Sequence, residues 1–93
     1  MINLEQRTSN EINKDLAGRV AKLRKRRKLS QQALAQRSGV SFGSVKRFEQ
    51  TGDISLQSLT KIAIALEVEG ELESLFSQVP YESLEEILNE QGR

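Results

Sequence analysis

Neither cysteine nor histidine occurs anywhere in the 93 residues. Without cysteine there is no disulfide framework and no thiolate metal site. Without histidine the usual general base, zinc ligand and pH switch are all missing. No Gly-rich phosphate loop and no metal-ligand spacing takes their place. An enzyme is therefore not expected, and no cofactor or metal is implied. Acids such as Glu69 and Glu73 recur on one helical face, where solvation accounts for them. No run approaches the roughly 20 apolar residues of a membrane span. The opening residues lack the basic-then-apolar build of a signal peptide. The expectation is a cytoplasmic protein with no membrane contact. A chain this short buries one modest core and leaves little room for a deep cleft.

What is present is charge, divided sharply along the chain. Residues 14–47 hold eleven lysines and arginines against Asp15 alone, a balance of +10. Residues 48–92 hold ten acids against Lys61 alone, a balance of −9. The net charge of +1 conceals this. An asymmetry of such size points to a half that binds a polyanion, and the acidic half should face away from it.

The apolar pattern is helical throughout. Thr8 with Glu11 forms a capping box. Ile12, Leu16, Val20 and Leu23 then recur at helical steps, and this first helix ends near Lys28. Its basic run, residues 24–28, falls where cations favour a helix C-terminus. Ser30 caps a second helix, which Ser38-Gly39-Val40 breaks. Ser41 caps a third over FGSVKRFE, and Thr51-Gly52-Asp53 is a turn. Ser55 caps a fourth, with Leu56, Leu59, Ile62, Ala63 and Leu66 on one face. A short helix follows at residues 71–76, and Pro80 stops it. Ser83 with Glu86 opens a last helix with Leu84, Ile87 and Leu88 inward. The predicted fold is all-α, a bundle of five to six helices around a central helix-turn-helix.

The second and third helices carry the functional signal. Ala35 is small where the two cross. Gly39 stands where a left-handed backbone is cheap only for glycine. Val40 plugs the gap beneath the turn, and Leu34, Val45 and Phe48 anchor the pair from below. With those faces buried, Ser41, Phe42, Gly43, Lys46, Arg47 and Gln50 project outward. A polyanion surface would repel Glu49, so it is expected to pair with an arginine such as Arg24 or Arg27.

Residues 16–68 strongly resemble the Xre/Cro/cI-type helix-turn-helix of phage repressors and bacterial regulators. The matching pieces are Leu29-Ser30-Gln31, Leu34-Ala35, the Ser38-Gly39-Val40 turn, Phe48-Glu49 and the helix from Leu56 to Leu66. One departure is the Gln50-Thr51-Gly52 turn, a residue longer than the tightest versions. No site residue is expected beyond that insertion. The resemblance implies a DNA-binding set of Gln31, Ser41, Phe42, Gly43, Ser44, Lys46, Arg47 and Gln50. Gln31 hydrogen-bonds a phosphate from the first turn of its helix. Arg47 makes a bidentate pair with guanine, and Lys46 contacts guanine or phosphate. Phe42 either packs on a thymine methyl or folds back onto the protein. Gly43 either admits close backbone approach or weakens the helix start.

The function implied is a sequence-specific regulator of transcription, a repressor bound to a near-palindromic operator in double-stranded DNA as a homodimer. The expected parts are an N-terminal extension (1–11), the DNA-binding unit (12–68) and an acidic helical extension (69–93). Leu72, Leu75, Phe76, Val79, Tyr81, Leu84, Ile87 and Leu88 give that extension more apolar side chains than one subunit needs, which suits a dimer contact. The alternative is an antitoxin similar to the Hip type, whose acidic end binds a toxin protein while the helix-turn-helix represses its own operon.

Overall fold

The computed structural model describes residues 6–78 together with 88 and 89. Five helices occur there, α1 (Ser9–Arg26), α2 (Gln31–Ser38), α3 (Phe42–Thr51), α4 (Leu56–Ala65) and α5 (Glu69–Glu73), and the described residues contain no strand. Each of the first four starts on a hydroxyl cap. The side chains of Thr8, Ser30, Ser41 and Ser55 accept from the backbone N–H three residues on, satisfying one orphan donor per helix. At Thr8 the reciprocal half of the capping box runs between side chains: the Thr8 hydroxyl donates to Glu11 Oε1 at 3.0 Å.

The helix ends show chemistry that glycine content does not reveal. Gly39 and Gly52 terminate α2 and α3 in the left-handed region, with φ of 76° and 80°. Lys28 and Glu67 adopt the same conformation, with φ of 58° and 61°. At Lys28 the chain closes a Schellman motif, Leu29 N–H donating to Arg24 O at 3.1 Å and Lys28 N–H to Lys25 O at 2.9 Å. Val68 N–H to Ala63 O and Glu67 N–H to Ile64 O repeat it after α4.

The core comprises Ala17, Val20, Leu34, Ala35, Val40, Val45, Phe48, Ile62 and Leu66. α3 packs on both α1 and α2, α4 packs on α2, and α5 packs on α4. α3 is therefore gripped from two sides.

Two expected core positions lie outside. Ile12 is 50% exposed and Leu56 is 72% exposed. On a wheel of 3.6 residues per turn the buried stripe of α1 is centred on Ala17, Val20 and Arg24. Leu16 and Leu23 form its margin, and Ile12 lies on that margin in the first turns. The stripe is rotated from the apolar pattern because its centre holds a charged side chain. In α4 the buried positions are Ile62 and Ala63, with Leu66 at the cap, so Ile64 falls on the outer side. Leu56 lies on the line of Ala63 but in the first turn, where it stays exposed. Two boundaries also differ. α3 continues through Gln50 and Thr51, and the fifth helix occupies Glu69–Glu73 rather than 71–76. Leu75 and Phe76 follow it, 55% and 86% exposed. The expected last helix, with Leu84 and Ile87, and its neighbours Val79 and Tyr81 lie outside the described residues, while Leu88 is 58% exposed.

Candidate nucleic-acid interface

The interface is built on α2, the three residues Gly39, Val40 and Ser41, and α3. Leu34 and Ala35 are buried beneath α2, and Val45 and Phe48 beneath α3, with Val40 buried between them. Ser38 braces the turn, its hydroxyl donating to Ala35 O at 3.3 Å and accepting from Val40 N–H at 3.2 Å. Gly39 is required by its φ, since a β-carbon there meets open space. Gly52 is required twice over. Its φ is left-handed, and an added β-carbon would stand 2.7–2.9 Å from the backbone of Asn13 and Lys14. That close approach seats the C-terminal end of α3 directly on α1.

A buried ionic network completes the seating. Arg24 Nε donates to Glu49 Oε2 at 2.7 Å, and Arg24 Nη2 to Glu49 Oε1 at 2.9 Å. Arg24 Nη1 donates to Leu29 O at 2.7 Å, at the Schellman turn. Gln31 Nε2 donates to the same Glu49 Oε1 at 3.0 Å. Side-chain exposures of 10% for Arg24 and 8% for Glu49 mean that both ions have left water, so pairing and hydrogen bonding must compensate. For Glu49, burial raises the pKa. The hydrogen bonds from Arg24 and Gln31, aided by the positive charge of Arg24 and Lys25, outweigh it and hold the carboxyl below its ordinary value. The Glu49 contact likewise raises Arg24 above its ordinary value against burial. Of the two partners open to Glu49 the structure selects Arg24, while Arg27 Nη1 meets Glu67 Oε2 at 3.2 Å on the surface.

The outward residues fall as the buried faces dictate. Ser41, Phe42, Gly43, Ser44, Lys46, Arg47 and Gln50 are all exposed, and Gln31 is half-buried at the first position of α2. Phe42 retains 41% exposure. Ser41 and Ser44 are partly engaged with each other. The Ser41 hydroxyl caps α3 by accepting from Ser44 N–H at 3.1 Å and donates to Ser44 Oγ at 2.8 Å. Ten of the eleven cations of residues 14–47 are exposed, and Arg24 alone is withdrawn from the field.

Asp53 is a neighbour of the expected set that sequence reasoning passed over. Its Oδ2 lies 2.9 Å from Arg47 Nη2. Both residues line two open clefts, one of about 500 Å³ toward Asn10, Asn13 and Lys14, the other of about 400 Å³ toward Ser44, Ser55 and Ser58. The reversal at Gly52 takes Asp53 off the helix, so no helical spacing signals the pair.

The helix-turn-helix family matches residues 20–72, more than half of the chain. The chain belongs to that family, in its Xre/Cro/cI-type form. This is a DNA-binding regulatory domain family rather than a family of enzymes. Comparisons with curated proteins and with solved structures returned no match. No helix among the described residues is long and apolar enough to cross a membrane.

Proposed function

We propose that the protein is a sequence-specific repressor that binds a near-palindromic operator as a homodimer, reading base edges with α3 in the major groove. The observation that carries this is the exposure of Lys46, Arg47 and Gln50 on the side of α3 opposite the buried Val45 and Phe48. In this reading Arg47 pairs with guanine, Lys46 with guanine or phosphate, and Phe42 packs on a thymine methyl. Gln31 contacts a phosphate. Its amide nitrogen carries two N–H groups, and the bond to Glu49 uses one and aims the other. Ser41, Gly43, Ser44 and Gln50 complete the contact surface.

The unit doing this work is residues 12–68, with 1–11 and 69–93 as extensions. One helix reads only a few base pairs, so operator affinity requires two half-sites. The exposed Leu75, Phe76 and Leu88 support the extension as the place where two subunits meet. Selection of bound sites from random duplex DNA tests the whole reading. The expected product is an inverted repeat with half-site centres one turn, about 34 Å, apart. Enrichment of a single unrepeated half-site removes the homodimer, and no enrichment at all removes the recognition role.

A further inference from the structure

We propose that Asp53 is a positioning residue for base recognition, holding the Arg47 guanidinium toward one base contact and weakening its attachment to unrelated DNA. The proposal rests on the reading that Arg47 contacts a base.

Asp53 is anchored to the helix turn that carries Arg47. The Thr51 hydroxyl donates to Arg47 O at 2.8 Å and accepts from Asp53 N–H at 3.1 Å. Gly52, between them, is pinned against the backbone of Asn13. The carboxylate therefore rises from a braced ledge, and its contact with Arg47 Nη2 at 2.9 Å closes a ring of residues 47, 51 and 53. Both side chains are well exposed, 70% and 65%, so the pair adds little to folding stability. Its consequence lies in geometry and field.

Arginine presents its N–H donors in one rigid plane. A carboxylate on Nη2 fixes that plane and still leaves donors for a bidentate contact. An untethered Arg47 is free to swing to the nearest phosphate on any sequence. The Asp53 charge also acts on all DNA alike, repelling phosphates wherever the protein lands. The compensation, a pre-aimed guanidinium, is realised only where the base offers the matching acceptors. Asp53 thus lowers general affinity more than it lowers affinity for the operator.

The test measures dissociation constants for the selected site and for an unrelated duplex at one salt concentration. It compares the wild-type chain, Asp53→Asn, Arg47→Ala and the double variant. For Asp53→Asn the unrelated duplex should bind several-fold tighter, and the specificity ratio should fall about tenfold, within the range of one bidentate contact. On the Arg47→Ala background, Asp53→Asn should shift both affinities equally and leave the ratio unchanged. Thr51→Val keeps both charges and breaks the ledge, so the ratio should fall with a smaller gain in general affinity than Asp53→Asn gives. A ratio unmoved by Asp53→Asn overturns the proposal, as does an equal fall without Arg47. Partial unfolding scales both affinities together and cannot mimic the result. If the wild-type chain prefers no duplex, it is the recognition reading that fails. If Arg47→Ala loses the preference and Asp53→Asn keeps it, only the positioning role fails.

Discussion

The Arg24 guanidinium and the Glu49 carboxylate meet through two hydrogen bonds, at 2.7 and 2.9 Å, across 25 positions of sequence. They join the last turns of α1 to the last turns of α3, and through Gln31 they reach the start of α2. Removing one partner strands the other ion out of water. Glu49→Ala should cost about 3–5 kcal/mol by chemical denaturation. That is a large part of a small domain's stability of about 5–15 kcal/mol. The paired change Arg24→Met with Glu49→Leu should lie within about 1–2 kcal/mol of wild type, because well-packed apolar side chains replace a buried pair at little cost. Equal losses in the two variants would show that the pair is not the source.

The same pair sets an acid limit. Glu49 is held below its ordinary pKa, so its ionised form is stabilised in the folded state. The contribution is fully present above the unfolded glutamate value of about 4.3 and disappears as pH falls through the lower folded value. Thermal melts between pH 6 and pH 3 should show a smaller loss for the Arg24→Met, Glu49→Leu double variant than for wild type. Identical losses would assign the acid transition to other carboxylates.

The two helix-ending glycines should respond differently to alanine. Gly39→Ala meets open space and suffers only the left-handed backbone penalty, about 1–2 kcal/mol. Gly52→Ala suffers that penalty and drives a methyl into the α1 backbone at 2.7–2.9 Å. Overpacking of that kind adds about 1–3 kcal/mol. Denaturant midpoints should therefore rank Gly52→Ala clearly below Gly39→Ala, and the reverse order would mean that α1 yields easily at Asn13.

Neighbouring positions on the interface should separate by what they read. Gln31→Ala should weaken binding to every duplex in similar proportion, since a phosphate carries no sequence information. Arg47→Ala should cost about 1–3 kcal/mol on the selected site and relax one base position. Parallel losses for the two variants on specific and unrelated duplexes would show that Arg47 reads no base.

Binding should also fall steeply with salt. Each phosphate neutralised contributes roughly −0.9 to the slope of log K against log salt concentration. With ten cations of the basic half exposed, a titration should give a slope of several units. A slope near zero would mean that this half does not face DNA.

Much of this molecule is written locally. Thr8, Ser30, Ser41 and Ser55 cap helices through N–H groups only three residues away, so the four starts are legible without a fold. Gly39 announces its turn because few other residues adopt that backbone. Val45 and Phe48 announce the buried side of α3, and with it which residues face out. The expected all-helical class and helix-turn-helix family follow from such short-range rules, as does the opposition of charge between the two halves.

The tertiary structure decided what depends on how helices cross. Arg24 and Arg27, three positions apart on one basic run, were equal candidates for Glu49, and the packing of α3 on α1 sent one inward and the other to Glu67. That crossing also placed Arg24 at the centre of the α1 stripe, displacing Ile12 to the surface. It brought Gly52 against Asn13, and the reversal there carried Asp53 to Arg47. Backbone geometry sets the relation of residues three or four apart, whereas contacts across 18 to 40 positions exist only once the core has chosen its angles.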